Sequence, residues 1–210
     1  MKITVFGATG GTGQYLVEKA LAHGHTVTAF VRSPEKLALT DDNLRILQGS
    51  VLDAESVSEA IAGADAVISA LGPAPGSPDD LMEMAATNIT RAMADRDVSR
   101  LVWATGAGVR TVQDEPTFMH RAFGFLLKLI SGKVLQNSER GIAVIKNSPL
   151  DWTIARAPML TDQPGSGNFH IGYVNAALGR QLSRENFAQF MLDLAEHDQW
   201  IHDMPAASDL

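Results

Sequence analysis

The stretch GATGGTGQYLVEK, residues 7–19, contains two patterns of residues that could do chemistry. Gly7, Gly10 and Gly13 recur at intervals of three, a spacing that lets a backbone turn approach a phosphate group closely. Tyr15 and Lys19 stand four residues apart, as in a pair of side chains that transfers a proton. Because both patterns share one short stretch, the geometry of the predicted helix has to decide which of them faces a ligand.

The glycines have the sequence context that a phosphate site needs. Such a site requires a buried strand, a tight turn and a helix whose amino terminus carries partial positive charge. KITVF, GATGGTG and QYLVEKALA supply these three parts in that order. The alternative is a turn before an ordinary helix, but that would explain one surplus glycine better than four. We therefore predict that this loop binds the pyrophosphate of a dinucleotide.

Helical geometry separates the glycines from the tyrosine and the lysine. At about 100° per residue, Gly13 lies about 160° from Tyr15, near the centre of the apolar face. That is the position of a glycine that lets a helix approach a sheet. Tyr15 and Lys19 lie only about 40° apart and largely opposite this face. We therefore interpret them as a solvated helix face and not as a catalytic pair. The apolar face comprises Leu16, Val17, Ala20 and Leu21.

The chain alternates short β-rich runs with longer helical patterns, which predicts βαβ units. Runs such as AVISAL and RLVWA are apolar throughout, as in parallel strands that are covered on both faces. The fold class predicted is α/β, a doubly wound, mostly parallel sheet with helices on both faces. The predicted strands cover 3–6, 26–31, 44–47, 66–70, 101–104, 151–157 and 170–174, and the predicted helices cover 12–23, 54–62, 80–94, 116–130, 134–146 and 184–196, with Ser183 as a cap.

Composition narrows the classes of protein and partner. A chain of 210 residues can bury a single core, so we predict one domain over 1–210 with a substrate-side elaboration around 105–147 and 157–182. The formal charge of −7 and the lack of a Lys/Arg run argue against nucleic-acid binding. No apolar run approaches the ~18 residues of a membrane span, and cysteine is absent. We expect a cytoplasmic protein whose partner is a small molecule, while its oligomeric state stays open.

Several other polar and apolar groups are interpreted as structural. His23 and His25 flank Gly24 in a turn expected at the end of the sheet opposite the glycine loop, and we interpret neither as a metal ligand. We therefore predict no metal site. Asp79 and Asp80 precede a predicted helix and are interpreted as N-caps. The apolar segment 118–130 is predicted to pack as a helix, with an aromatic substrate wall or a dimer contact as the alternative.

The second predicted strand indicates which dinucleotide binds. A site that prefers NAD usually has Asp or Glu at the end of this strand, where the carboxylate accepts hydrogen bonds from the ribose. Here TVTAFVRSPEKL places Arg32 at that end and Lys36 four residues later. Two cations favour the 2′-phosphate of NADP, although two solvated surface cations are the alternative. We predict NADPH as the cofactor.

Many segments together resemble one family, the atypical short-chain dehydrogenases of the NmrA-like group, and within it the biliverdin reductase B/flavin reductase type. The likeness runs nearly end to end and implies a Rossmann-type fold. In short-chain dehydrogenases the catalytic tyrosine and lysine lie on the helix after the fifth strand, which again argues against Tyr15 and Lys19. The segments are FGATGGTG, VRSPEKL, GSVLDAESV, DAVISALG, ATNITRAM, SRLVWATGAG, SPLDWTIARAPMLTDQP and SRENFAQFML.

The resemblance also implies the residues that would hold the cofactor. The glycine loop would line the pyrophosphate, the two cations would meet the 2′-phosphate, and residues after the third strand would border the adenine. Residues after strands four to six would lie beside the ribose and the nicotinamide. The family commonly has Asp where Ser50 stands. The implied set is Gly7, Thr9, Gly10, Gly11, Thr12, Gly13, Arg32, Lys36, Ser50, Val51, Leu71, Gly72, Thr105, Pro158 and Met159.

The residues expected beside the nicotinamide differ from those of this family. Flavin reductases of this type carry a serine where Gly106 stands here and a histidine where Met159 stands. Thr105 remains as the candidate catalytic residue, because its hydroxyl could bond the substrate or the carboxamide, although a structural hydroxyl is the alternative. A planar acceptor needs little help from a protein acid, since binding supplies proximity and water can supply the proton.

Two function classes follow. The first is an NADPH-dependent oxidoreductase that passes hydride to a flavin, a quinone or a similar small planar acceptor. FMN or FAD would then be a substrate and not a bound prosthetic group. The second is a regulatory protein that senses NADP without turning it over, which the missing polar groups at Gly106 and Met159 favour. An epimerase is disfavoured, because no Y-x-x-x-K falls on the proper helix.

Overall fold

Apolar runs in the first half of the chain form parallel strands, and amphipathic runs between them form helices. The structure is a computed structural model that describes residues 1–73 and 76–210, with the backbone alone at 118–131. The strands are β1 Lys2–Phe6, β2 Thr26–Val31, β3 Leu44–Gln48, β4 Ala66–Ser69, β5 Arg100–Gly106, β6 Asp151–Ala157, β7 Met159–Thr161, β8 Phe169–Gly172, β9 Gln181–Ser183 and β10 Ala206–Asp209. The helices are α1 Gly11–Ala22, α2 Ala54–Ile61, α3 Leu81–Asp95, α4 Phe118–Lys146 and α5 Arg184–Glu196, with a short 3₁₀ helix at Pro34–Lys36.

The central sheet has eight strands in the order β3-β2-β1-β4-β5-β6-β10-β8. Neighbouring strands pair in parallel except β8, which runs antiparallel to β10. The strand order reverses between β1 and β4, and at such a point the carboxyl ends of the strands open a crevice. Strands β7 and β9 form a separate parallel pair. This architecture confirms the predicted doubly wound, mostly parallel Rossmann-type sheet.

Helices cover the sheet on both faces, and each face has its own core. On one face, α1 and α5 pack against alternate strand residues such as Ile3, Val5 and Ile68. On the other face, α2, α3 and α4 enclose the remaining strand side chains, including the fully buried Trp103. Burial of apolar area on this scale is the main stabilising contribution to such a fold. It also fixes the strand ends that carry the candidate site.

A buried ion pair holds the loop that follows β5. Arg156 in β6 donates two parallel hydrogen bonds to the carboxylate of Asp114, at 2.8 and 2.9 Å. The same carboxylate accepts hydrogen bonds from the backbone N–H groups of Thr111 and Val174. Burial alone would raise the pKa of Asp114, but the hydrogen bonds from Arg156 and from the backbone outweigh it, and the pKa is lowered. The charged pair thereby ties this loop to the sheet.

Several features of the structure differ from the prediction. The helices predicted at 116–130 and 134–146 form one continuous α4, since Gly132 costs only about 1 kcal/mol in a helix and no proline interrupts it. Asp80 stands at the N-cap of α3, but its side chain bonds no backbone N–H there, and Asp79 instead bonds Lys133. Strand β10 was not predicted, because its four residues show no apolar alternation; pairing with β6 and β8 holds it extended.

Other predictions agree with the structure. The Ser183 hydroxyl accepts a hydrogen bond from the Asn186 N–H and caps α5 as predicted. The strand predicted at 170–174 corresponds to β8, displaced by one or two residues at its ends. The side chains of the predicted apolar segment 118–130 lie outside the described residues. Within the part of the chain that is described, no helix combines the length and the hydropathy needed to cross a membrane.

Candidate functional site

The glycine loop connects β1 to α1 at the carboxyl edge of the sheet. Gly7 adopts φ +79°, and a Cβ there would lie 2.8 Å from the backbone of Ala70, so this position requires glycine. The N–H of Gly10 donates to the carbonyl of Gly7 at 3.0 Å and closes the turn. Gly10 is the N-cap of α1, where no side chain caps the helix and no acidic residue stands in the first turn. The amino end of α1 is therefore open to an anion.

Gly13 makes the close approach of α1 to the loop possible. A Cβ at this position would lie 2.1 Å from the carbonyl oxygen of Gly7, closer than any real contact. Gly13 is buried, as are Leu16, Val17 and Ala20, whereas Leu21 is only half-buried. The predicted packing face is thus confirmed at Gly13. The neighbouring hydroxyl residue Thr12 is also buried, while Thr9 lies half-exposed on the loop.

A cation lies directly over this loop. A Cβ on Gly11 would be 2.8 Å from Cδ and 2.9 Å from Nε of Arg184, the first residue of α5. The Arg184 guanidinium donates a hydrogen bond of 2.6 Å to Asp162, whose side chain is 89% exposed. Arg184 thus places a positive charge beside the anion-accepting end of α1. An arginine is the side chain best suited to bind a phosphate by paired hydrogen bonds.

Glu185 fixes the position of α5 beside Arg184. Its carboxylate accepts a hydrogen bond of 2.9 Å from the N–H of Gly165 and lies 3.4 Å from Nζ of Lys19. The Gly165 N–H, followed by Lys19, outweighs partial burial and lowers the pKa of Glu185. The loop after β7 is thereby anchored to α5 close to the arginine.

The two predicted cations lie at the end of β2. Arg32 follows the last residue of that strand and Lys36 ends the 3₁₀ helix, and both are exposed. Within the described residues neither forms an ion pair. Ser50 and Val51 follow β3, next along the edge. The Ser50 hydroxyl accepts a hydrogen bond from the backbone N–H of Leu52, and the Val51 carbonyl accepts one from the side-chain amide of Asn88. The structure brings these four residues to one edge, and their contacts with a cofactor stay a prediction.

A cavity of about 260 Å³ opens where β4, β5 and β6 end. Five residues of the predicted cofactor set line it: Thr12, Leu71, Gly72, Thr105 and Pro158. Met159 does not line it and is 53% exposed at the start of β7. Side chains not predicted from the sequence complete the walls: Met82 from α3, Val134 and Ser138 from α4, Leu160 from β7 and Phe187 from α5.

Hydroxyl groups supply the polar atoms of this mostly apolar cavity. Thr105 is half-buried near the end of β5, and Ser138 is half-buried on α4, the helix that follows β5. The Ser138 hydroxyl donates to the carbonyl of Val134 and can still accept a hydrogen bond. Among the described residues that line the cavity, none has a side chain that titrates near neutral pH. Such a site can bind and orient a ligand, while protons would come from water.

The two tyrosines lie outside the walls of the cavity. Tyr15 is half-buried against the core that includes α1 and α5, and Lys19 pairs with Glu185 of α5, so their face is not simply solvated as predicted. Tyr173 lies beyond β8, where its hydroxyl donates to Asp203 at 2.5 Å. This hydrogen bond, burial and the negative charge of Asp203 raise the pKa of Tyr173 to about 12. Neither Tyr15 nor Lys19 lines the cavity, and the interpretation that they are not a catalytic pair stays a prediction.

Arg184 and Ser138 are the polar site residues that the sequence interpretation missed. Ser138 gives no signal, because a single serine in a long helix is unremarkable. Arg184 gives a weak one: it follows the capping Ser183, where the positive end of the helix dipole disfavours a cation. A cation at such a position indicates a nearby anion, here Asp162 in the structure and a phosphate in the predicted complex.

Comparison with protein families identifies the domain type of this geometry. A family model described as NAD(P)H-binding matches residues 7–198, nearly the whole chain. The match begins at the glycine loop and ends just after α5, so it includes every residue of the predicted cofactor set.

Individual relatives agree with this match. An uncharacterised protein of Bacillus subtilis, YwnB, is 28% identical over 95% of this chain and 94% of its own length. Cinnamoyl-CoA reductase 1 of Petunia hybrida is 30% identical over 80% of this chain and 59% of its own length. A short-chain dehydrogenase/reductase of Veillonella parvula, solved in complex with NADP, superposes with a TM-score of 0.80 at 18% identity, covering 99% of this chain and 94% of that one. This last likeness shows the fold.

Proposed function

Because the chain belongs to the family of NAD(P)H-binding proteins, we propose that it is an NADPH-dependent oxidoreductase that reduces a small planar acceptor such as a flavin or a quinone. The observation that carries the proposal is the continuity of the site. An open helix amino end at Gly10 lies beside an apolar cavity at the ends of β4 to β6, with Arg32 and Lys36 at the end of β2. The reductases among the relatives support the class of reaction.

The residues present fit a dinucleotide. Gly7 and Gly13 allow the loop to pack tightly against β4 and α1, and Gly10 and Gly11 stay exposed at the amino end of α1, where a pyrophosphate could bind. In the proposed complex Arg184 adds a charged hydrogen bond to the same group. Arg32 and Lys36 bind the 2′-phosphate, which NAD lacks. When bound, NADPH supplies a hydride equivalent from its nicotinamide ring.

The side chains of the cavity walls bind the acceptor and hold it beside the nicotinamide. Apolar side chains from Leu71, Leu160 and Phe187 exclude water, and the ring of Phe187 offers a flat surface to an aromatic acceptor. The Thr105 hydroxyl holds the carboxamide or the acceptor by a hydrogen bond, and Ser138 provides a second anchor. Proximity of the two rings is then the main source of rate enhancement. We assign this substrate-side role to the segments around 105–147 and 157–182.

A second candidate function is a protein that senses NADP and does not turn it over. It is favoured by the absence of titratable side chains among the described residues of the cavity wall. Oxidation of NADPH, followed by its absorbance with FMN, FAD, a quinone and a redox dye, distinguishes the two functions. Turnover with at least one acceptor supports the oxidoreductase, whereas tight NADP binding without any turnover would favour the sensor.

Arg32→Ala tests the choice of cofactor. We expect NADPH to bind roughly 10- to 100-fold more weakly, because a charged hydrogen bond contributes about 1.5–3 kcal/mol, while NADH binding stays nearly unchanged. Arg45→Ala is the matched control, since Arg45 is an exposed arginine on the neighbouring β3, paired with Glu59. Equal losses for NADPH and NADH in the Arg32 variant would refute the 2′-phosphate role.

A further inference from the structure

Two histidines and a glutamate meet at the end of α1 and α5 that lies farthest from the glycine loop. Nδ1 of His23 is 3.0 Å and Nε2 of His25 is 2.6 Å from the same oxygen, Oε1 of Glu196. One ligand atom from each residue lies within 4.8 Å of the other two. The His25 side chain is buried, whereas that of His23 is 40% exposed. The group is thus compact and reachable from solvent.

The backbone holds these side chains in place. His23 is the C-cap of α1, and Gly24 continues with φ +79°, a left-handed conformation that glycine adopts without strain. The His25 N–H then donates to the carbonyl of Ala20 at 3.0 Å, which closes the helix end. The two imidazoles therefore project from one tight turn. Glu196 is the last residue of α5, so the third side chain also stands on a regular element.

The polarity of the two helices provides a second, independent indication that a cation would bind here. Helices α1 and α5 run parallel, because Gly11 and Arg184 are in contact at their starts and His23 and Glu196 at their ends. Both negative dipole ends therefore converge on this point. Glu196 adds a full negative charge there, and the last turn of α5 contains no basic residue. A carboxylate at a helix carboxyl end is unfavourable by itself and becomes favourable beside a cation.

We propose that His23, His25 and Glu196 form a binding site for a divalent transition-metal ion of the Zn²⁺ class. Two imidazole nitrogens and one carboxylate oxygen are donors that Zn²⁺, Co²⁺ and Ni²⁺ accept, whereas Mg²⁺ and Ca²⁺ prefer oxygen alone. A tetrahedral ion with bonds of about 2.0–2.1 Å separates its ligand atoms by roughly 3.3 Å. Small side-chain rotations that widen the present 2.6 and 3.0 Å separations create this geometry.

The bound ion would replace the hydrogen atoms that the imidazoles now share with the carboxylate. Burial alone would raise the pKa of Glu196, but the hydrogen bonds and charges of the two histidines outweigh it and lower the pKa. The Met1 nitrogen, 3.2 Å from Nδ1 of His25, contacts the other nitrogen of that ring. Because the ion joins the ends of α1 and α5, its role is to clip the two helices together. This inference does not depend on the proposed function.

Titration of chelator-treated protein with Co²⁺ and Zn²⁺ tests the site. We expect one equivalent of Co²⁺ to produce the visible absorption of a low-symmetry complex, Zn²⁺ to displace it, and Zn²⁺ to raise the thermal unfolding midpoint. Mg²⁺ should neither displace Co²⁺ nor raise the thermal unfolding midpoint. Absence of a saturable single equivalent, or equal stabilisation by Mg²⁺, would overturn the proposal.

Variants locate the ion. Glu196→Gln should weaken Zn²⁺ binding at least about tenfold, the change that loss of an outer-sphere partner already produces. His23→Gln, at the most exposed ligand, gives the same test if Glu196→Gln unfolds. The matched control is His197→Gln, because His197 is adjacent but its Nδ1 contacts the carbonyl of Asp193 within α5. Unchanged Zn²⁺ affinity in both ligand variants, or an equal loss in His197→Gln, would place the ion elsewhere and refute the assignment.

Discussion

The two ends of the α1 and α5 helix pair present opposite charges to solvent. At the amino ends, Arg184 lies over Gly11 beside uncapped N–H groups. At the carboxyl ends, Glu196 lies between His23 and His25. Arg184 and Glu196 each stand at the end of α5 where the helix dipole opposes their charge. In both proposals a bound ion balances the charge of disfavoured sign at the helix end, an anion beside Arg184 and a cation beside Glu196.

The largest expected effect comes from closing the amino end with Gly13→Ala. The new Cβ would lie 2.1 Å from the Gly7 carbonyl oxygen and 2.8 Å from Cα of Ala8, so backbone has to move. We expect a loss of about 3 kcal/mol or more in the free energy of unfolding and the loss of NADPH binding. Urea unfolding and cofactor titration measure the two effects.

Gly132→Ala is the control for this variant. Gly132 lies in α4, and among the described residues a Cβ there meets no heavy atom within 4 Å. Because alanine favours the helix, we expect stability to rise by up to about 1 kcal/mol. If Gly13→Ala were as well tolerated as Gly132→Ala, the close approach of α1 to the loop would not be required.

The same comparison explains how much could be predicted from the sequence. The amino end was predictable because Gly7 to Gly13 form one local motif between a strand and a helix, and the alternating pattern also predicted the sheet. The group at the carboxyl end was not predictable, because Glu196 is separated from His25 by 171 positions and only the packing of α5 on α1 brings them together. Arg184 was missed for the same reason. The spacing of residues along the chain is enough to predict the glycine loop, which is a single turn. The group of His23, His25 and Glu196 depends on tertiary packing, which the spacing does not reveal.

Arg184→Gln sharpens the comparison at the amino end. We expect NADPH and NADH affinities to fall alike, by roughly tenfold, because Arg184 lies over Gly11 in the loop proposed to bind the pyrophosphate, which both cofactors share. This common loss contrasts with the selective loss expected for Arg32→Ala. Arg91→Gln, at an exposed arginine of α3 paired with Asp95, should leave both affinities unchanged.

The binding of Zn²⁺ distinguishes a local effect of Arg184→Gln from a general one. Since Arg184 and Glu196 stand at opposite ends of α5, the Arg184 variant should retain the Zn²⁺ affinity of the parent protein. A loss at both ends would mean that the substitution disturbs the whole helix. A loss for NADPH alone would place Arg184 at the 2′-phosphate and contradict its assignment to the pyrophosphate.

The smallest effects are expected for Lys19→Met and Tyr15→Phe, between the two ends. The Lys19 and Glu185 pair is partly exposed, at 25% and 31% of the side chains, and such pairs contribute less than about 1 kcal/mol. Because the pKa of Glu185 is lowered in the folded protein, its stabilisation is complete above the unfolded pKa and is lost as pH falls through the folded pKa. Removing Lys19 reduces this lowering, so acid unfolding should begin at a slightly higher pH. Turnover should stay within about twofold in both variants, and a large fall in kcat would restore the tyrosine and the lysine as a catalytic pair.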